Sequence, residues 1–209
     1  NKLQYAGRVF GSKELTSLVS SSLDFWLTSG PYTRRFEVEL AKLVGVKHAF
    51  FVNSGSSANL LAFAALCSPQ WPEVDRINPG DEVITVACGF PTTVAPIIQY
   101  GCVPVFVDVE LGTANIDVSK LEAACSSKTK AIFIAHTLGR PFNLTEVMDF
   151  CKYAGLWLIE DNCDALGSTY KGKMTGSFGH VATSSFCPAH HITTGEGGAV
   201  YTDHPKIAK

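Results

Sequence analysis

VATSSFCPAHHITTGEGGAV, from Val181 to Val200 of a 209-residue chain, is the stretch on which the reading of the fold turns. It opens with small and β-branched residues, the composition of a buried strand over residues 181–186. Pro188 then ends any ladder, because proline lacks an N–H and fixes φ. His190 and His191 follow, then the turn-rich Thr-Thr-Gly-Glu-Gly-Gly of residues 193–198, and an apolar run over 199–201 resumes a strand. A strand, a tight polar loop and a returning strand are a common way to hold reactive side chains at a sheet edge. On its own, the histidine pair reads as surface or supporting histidine.

Working outward, short apolar runs at 48–52, 82–87, 103–107, 130–135 and 156–160 read as further strands. Helical patterns at 12–29, 35–44, 58–66, 92–100, 117–124 and 144–153 alternate with them, and residues 68–80, with three prolines, read as loop. Strands alternating with helices of about ten residues predict an α/β fold, a mostly parallel sheet with helices on both faces. There is no repeat and no low-complexity segment.

With 46% hydrophobic and 17% charged residues the chain can build a sizeable core. A net charge of -2 gives no electrostatic case for nucleic acid or an anionic membrane, and no apolar run approaches the ~18 residues of a membrane span. The seven cysteines are scattered, odd in number and never at C-x-x-C spacing. They read as small buried hydrophobes of a reducing, cytoplasmic protein, and no metal site is predicted. A start at Asn1 without Met and a stop at Lys209, soon after a strand, suggest a piece of a longer polypeptide.

In parallel sheets ligands bind at the carboxyl ends of the strands, which singles out four loops. The first, residues 53–59, runs strand, Gly55-Ser56-Ser57, helix, either an anion cradle at a helix N-terminus or a plain serine cap. The second, residues 89–93, presents Phe90 to stack on a flat ligand or to staple the next helix. The third, residues 160–164, sets Glu160, Asp161 and Asp164 after the apolar Leu156-Trp157-Leu158-Ile159. Carboxylates there need a cation or good hydrogen bonds, which a protonated pyridine nitrogen, a Mg²⁺ ion or plain N-capping would supply. In the fourth, the opening stretch, Ser185 ends the strand within reach of a phosphate and His190 and His191 supply a base. The set suits pyridoxal phosphate or its amine form. A Schiff-base lysine is missing, for Lys171 and Lys173 lie before the last strand pair in a Gly-rich hairpin.

These motifs carry a resemblance. YAGRVF (5–10), LDFWLTSG (23–30), VNSGSSANLLA (52–62), GFPTTVAPIIQYG (89–101), AHTLG (135–139), LIEDNCDALG (158–167) and PAHHITTGEGGAV (188–200) resemble the DegT/DnrJ/EryC1/StrS family of sugar aminotransferases, in its lysine-lacking branch. The likeness covers nearly the whole chain. It implies residues 1–209 as an N-terminal segment and the cofactor-binding large domain of the fold-type-I architecture, an α/β/α sandwich, without the C-terminal small domain. It also implies pyridoxamine 5′-phosphate-dependent C3 dehydration of a nucleotide-linked 4-keto-6-deoxyhexose, first among them CDP-4-keto-6-deoxy-D-glucose. A GDP-4-keto-6-deoxymannose 3-dehydratase and a sugar aminotransferase are the alternatives.

By the same resemblance, Gly55, Ser56, Ser57 and Ser185 hold the cofactor phosphate and Phe90 stacks on its ring. Asp161 pairs with the ring nitrogen, Asp164 sits near the ring 3-hydroxyl, and His190 takes the lysine's place as the base. Glu196 would be structural. A [2Fe–2S] cluster with ligands beyond Lys209, a flavin or iron–sulfur reductase as electron donor, and a homodimer are implied as well. Cys88, Cys187 and Arg140 depart from the family pattern, Cys187 nearest the chemistry.

Overall fold

The computed structural model describes Gly7 and residues 9–209, so half of the 5–10 motif (Tyr5, Ala6 and Arg8) lies outside the described residues. Two helices lead in. In α1 (Ser12–Leu23), Glu14 accepts from the Gly11 amide at 2.7 Å, and none of the helix is buried. The expected continuation to residue 29 does not occur, because Phe25 adopts a φ of 51° that a helix cannot carry. α2 (Pro31–Val44) starts four residues before the predicted 35, with proline at its first turn, and ends at left-handed Gly45.

A seven-stranded sheet follows. β1 (His48–Val52) leads into α3 (Gly55–Leu66), β2 (Glu82–Val86) into α4 (Pro91–Gln99), and β3 (Val103–Val107) into a short 3-10 turn and α5 (Leu121–Ala124). The helix expected over 117–124 is broken this way because Asp117 caps the Ser119 amide and so begins a tighter turn. Then come β4 (Thr129–Ala135), α6 (Leu144–Ala154), β5 (Trp157–Asp161), the hairpin β6 (Thr169–Tyr170) and β7 (Lys173–Met174), β8 (Val181–Ser185) and β9 (Gly198–Thr202).

The order across the sheet is β1-β9-β8-β5-β4-β2-β3. Pairs from β8 to β3 are parallel, while β9 runs antiparallel between β8 and β1. The β8–β9 hairpin is therefore inside the sheet, flanked by β1 and β5, rather than at its lateral edge. Both faces are covered, which is why β8 and β9 are buried along their whole length with no polar alternation. On one face Phe63 of α3 stacks on Phe133 of β4, with Ile159, Val181 and Val200 around them. On the other, α5 and α6 cover Ile132, Ile134 and Leu158, and α2 covers Ala182, Ala199 and Tyr201. Among the described residues no helix is long and apolar enough to cross a membrane.

One buried carboxylate ties the β6–β7 hairpin to this sheet. Glu160, fully buried in β5, accepts from His136 Nε2 at 2.9 Å, from the amides of Gly176 and Phe178 at 2.8 Å each, and from the Gly179 amide. Those bonds fill a carboxylate's acceptor positions. Burial, the largest influence, raises its pKa, but the His136 and backbone hydrogen bonds outweigh it and the net direction is downward from the ordinary 4.5. A depressed carboxylate stabilises the fold above its unfolded-state pKa, and that contribution is lost as pH falls through the folded value.

Two outcomes are expected. Phe63→Ala should lower unfolding free energy by about 3–5 kcal/mol, against about 0.5 kcal/mol or less for fully exposed Leu111→Ala, in urea titrations. Glu160→Gln should flatten the fall in stability below pH 4.5, read from acid unfolding followed by tryptophan fluorescence.

Candidate functional site

β1, β8, β5, β4 and β2 all point the same way, so their carboxyl ends share one edge of the sheet. Val52 and Ser185 there flank Gly198 from opposite sides. Of the four loops singled out in the sequence, those following β1, β2, β5 and β8 all open at this edge.

After β1, Ser54 caps α3. Its Oγ accepts from the Ser57 amide at 3.1 Å and donates to Ser57 Oγ at 3.1 Å, and its carbonyl takes the Ala58 amide at 2.9 Å. The Gly55 and Ser56 amides are left without an acceptor among the described residues, the usual fate of a helix's first N–H groups. Gly55 is pressed onto β8. A Cβ there would lie 2.5 Å from Ser185 Cβ and 3.2 Å from Cys163 Sγ. The Ser185 hydroxyl makes no hydrogen bond among the described residues. Two free amides and a free hydroxyl at a helix N-terminus make a seat for an anion.

After β5, Asp161 is 4% exposed. Its Oδ2 accepts from Thr93 Oγ1 at 2.7 Å and Asn59 Nδ2 at 2.9 Å, and its Oδ1 from the Cys163 amide at 3.1 Å. All three donors are neutral, and no cation pairs with this buried carboxylate among the described residues. One acceptor position on Oδ1 remains for a fourth donor. Cys163 is no rival charge, since burial first and Asp161 second push its thiol well above the ordinary value. Phe90 begins α4 at 69% exposure, and its carbonyl takes the Thr93 amide at 3.1 Å, so ring and clamp share one turn.

In the loop after β8, His190 Nδ1 lies 3.2 Å from Asp164 Oδ1, whose side chain is 47% exposed. Asp164 thus has His190 as its protein partner, a contact that sequence reasoning did not anticipate. His191 and Glu196 are exposed and Cys187 is half-buried. Lys171 Nζ donates to Thr145 Oγ1 at 2.8 Å and Lys173 Nζ to the Ser177 carbonyl at 2.7 Å, so both are engaged on the β6–β7 hairpin. No lysine bonds Asp161, Asp164 or His190 among the described residues. Sequence reasoning gave no role to Asn59 and Thr93, though both lie in loops it singled out, nor to Thr183. The signal was an amide side chain inside the apolar run of α3.

The donor set fits one kind of molecule, with an anionic group, a flat ring and a cationic N–H. It does not fit a metal, for no three His, Cys, Asp or Glu side chains gather closely enough among the described residues.

Known proteins share the sequence and the fold. The model of the DegT/DnrJ/EryC1/StrS aminotransferase family matches residues 11–209. The chain is 57% identical over 204 residues to lipopolysaccharide biosynthesis protein RfbH of Salmonella typhimurium, covering 98% of this chain and 46% of that protein. It is 52% identical to the dTDP-4-dehydro-2,6-dideoxy-D-glucose 3-dehydratase of Saccharopolyspora spinosa, covering 98% and 44%. The structure of E. coli GDP-4-keto-6-deoxy-D-mannose-3-dehydratase with bound hydrated PLP matches with a TM-score of 0.91 at 37% identity, covering 98% of this chain and 52% of that one. The chain spans about half the length of the curated relatives it matches. By this match over all but its first ten residues, and by the shared architecture, the chain belongs to the DegT/DnrJ/EryC1/StrS aminotransferase family.

Proposed function

We propose that the protein of which this chain is a part is a pyridoxamine-phosphate-dependent 3-dehydratase of a nucleotide-linked 4-keto-6-deoxyhexose. We take CDP-4-keto-6-deoxy-D-glucose as the substrate and deoxysugar and lipopolysaccharide biosynthesis as the setting. The observation that carries the reading is the buried Asp161 carboxylate, held by neutral donors only and one donor short. Such a group calls for a cationic N–H, which a protonated pyridine ring provides. Relatives named as 3-dehydratases and as a lipopolysaccharide protein support the substrate class.

Bound pyridoxamine phosphate would supply an amine for the substrate ketone and an electron-accepting ring. The Gly55 and Ser56 amides, with the Ser57 and Ser185 hydroxyls, bind its phosphate. Phe90 covers the ring and Asp161 orients it through the ring nitrogen. The Asp164 carboxylate, 3.2 Å from His190 Nδ1, favours a proton on that nitrogen, which leaves the Nε2 lone pair of His190 to take a proton from the cofactor's C4′ carbon. The motif resemblance also gives Asp164 the ring 3-hydroxyl as a partner. Because imidazole cannot hold the cofactor covalently, retention rests on these contacts alone. The engaged amines of Lys171 and Lys173 weigh against an ordinary aminotransferase.

A GDP-linked sugar is the second reading, favoured by the structural match to the E. coli enzyme. To the full-length protein we also assign a [2Fe–2S] cluster, a flavin or iron–sulfur reductase as electron donor, a homodimeric state and a cytoplasmic location. The motif resemblance supports these. The described cysteines form no group that fits a cluster, so its ligands would lie beyond Lys209 and no step is derived through it.

The decisive test uses the full-length protein with pyridoxamine phosphate and CDP-4-keto-6-deoxy-D-glucose. C4′ proton exchange should fall by about 10²–10⁴-fold in His190→Asn. Exchange that persists would move the base elsewhere and remove the central claim. Borohydride reduction of the protein loaded with pyridoxal phosphate should leave no covalent label, whereas labelling would favour the aminotransferase. Gly55→Ala should weaken cofactor binding at least about tenfold in equilibrium dialysis and cost about 1–3 kcal/mol of stability, since the new methyl has no room beside Ser185.

A further inference from the structure

Asn59 is 1% exposed and lies four residues after Gly55, one turn below the anion seat on the same helix. Every polar group of its side chain is used. Nδ2 donates to Asp161 Oδ2 at 2.9 Å and to the Thr92 carbonyl at 3.2 Å, and Oδ1 accepts from Thr183 Oγ1 at 2.6 Å. The three partners belong to different elements. Asp161 ends β5, Thr92 opens α4 two residues after Phe90, and Thr183 stands directly opposite Asp161 in the β5–β8 pairing. A single amide therefore joins the helix of the anion seat, the turn that carries the exposed ring, and the carboxylate. The Asp161 carboxylate and the Thr92 carbonyl only accept, so they fix the NH₂ end toward themselves, and the Thr183 hydroxyl anchors the Oδ1 end.

We infer that Asn59 is a positioning residue that sets the spacing between the anion seat, the Phe90 ring and the Asp161 carboxylate, and so selects cofactors with a protonated ring nitrogen. The inference rests on the pyridoxamine phosphate reading above. A buried asparagine that merely satisfies its neighbours would support the fold without regard to the ring atom that meets Asp161. A positioning residue makes the cost of losing it depend on that atom.

The test compares two ligands on the full-length protein by equilibrium dialysis and ligand fluorescence. One is pyridoxamine 5′-phosphate, and the other is its analogue with carbon in place of the ring nitrogen. Wild type should prefer the first, and Asp161→Asn should abolish the preference. Asn59→Asp sets a second carboxylate against Asp161. It should cut affinity for pyridoxamine phosphate by about 10–100-fold while changing that for the carbon analogue less than about threefold. Thr183→Val, which leaves Asn59 in place but removes the anchor of its Oδ1, should give a smaller loss of the same selectivity, about fivefold. This milder variant keeps the test informative if Asn59→Asp does not fold, and unchanged inorganic phosphate binding in both would report an intact anion seat. Equal losses for the two ligands, or a full preference retained by both variants, would overturn the inference alone. Wild type without a preference would overturn the cofactor reading and the inference with it.

Discussion

Two adjacent carboxylates, Glu160 and Asp161, end a strand that is buried on both faces, and their desolvation is the constraint around which the fold is arranged. Alternation along a strand sends neighbouring side chains to opposite faces, so the two meet different surroundings. Glu160 is sealed by one imidazole and three backbone amides, which draw the β6–β7 hairpin and the end of β4 onto the sheet. Asp161 meets only an amide, a hydroxyl and one backbone N–H, all neutral. The first carboxylate is finished by the protein. The second keeps an acceptor position, which in the proposed function a protonated ring nitrogen fills.

Helix α3 links that carboxylate to the rest of the edge. Its first turn carries two free amides, its second turn carries Asn59, and its remaining inward positions are Ala62, Phe63 and Leu66, fully buried. The core and the site thus share one rigid body. A shift of α3 would disturb the Phe63–Phe133 stack and the Asp161 clamp together. Elements with their own packing hold polar groups more tightly than free loops do.

Much of this was legible in the sequence. Short apolar runs gave the strands within a residue or two, and the rule that ligands meet strand carboxyl ends picked out the loops that open at the site. What escaped was long-range. Asn59 reads as one polar residue in a helix until partners 102 and 124 positions away are known, and Thr93 gains meaning from a residue 68 positions on. Which carboxylate would be sealed and which left open depends on the sheet face, and that is set by strand order. Local pattern also overran the end of α1, because nothing in the helical spacing announces the left-handed turn at Phe25.

The position of β9 carries a consequence for how the chain is made. Among the described residues strand β1 has a single partner, β9, about 150 positions further along the chain, His48 pairing with Thr202. Emerging at about 5–20 residues per second, β1 waits on the order of 10 s before a neighbour exists for its backbone. Until then Phe51 of β1 and Phe36 of α2 have each other but lack Phe186, Ala199 and Tyr201, which complete their cluster. Completion of the sheet is a closure over most of the chain, the kind of non-local step that makes folding slow and exposes an unpaired edge to other chains. The same insertion that fixes both ends of the His190 loop therefore makes that loop among the last parts of the domain to take shape.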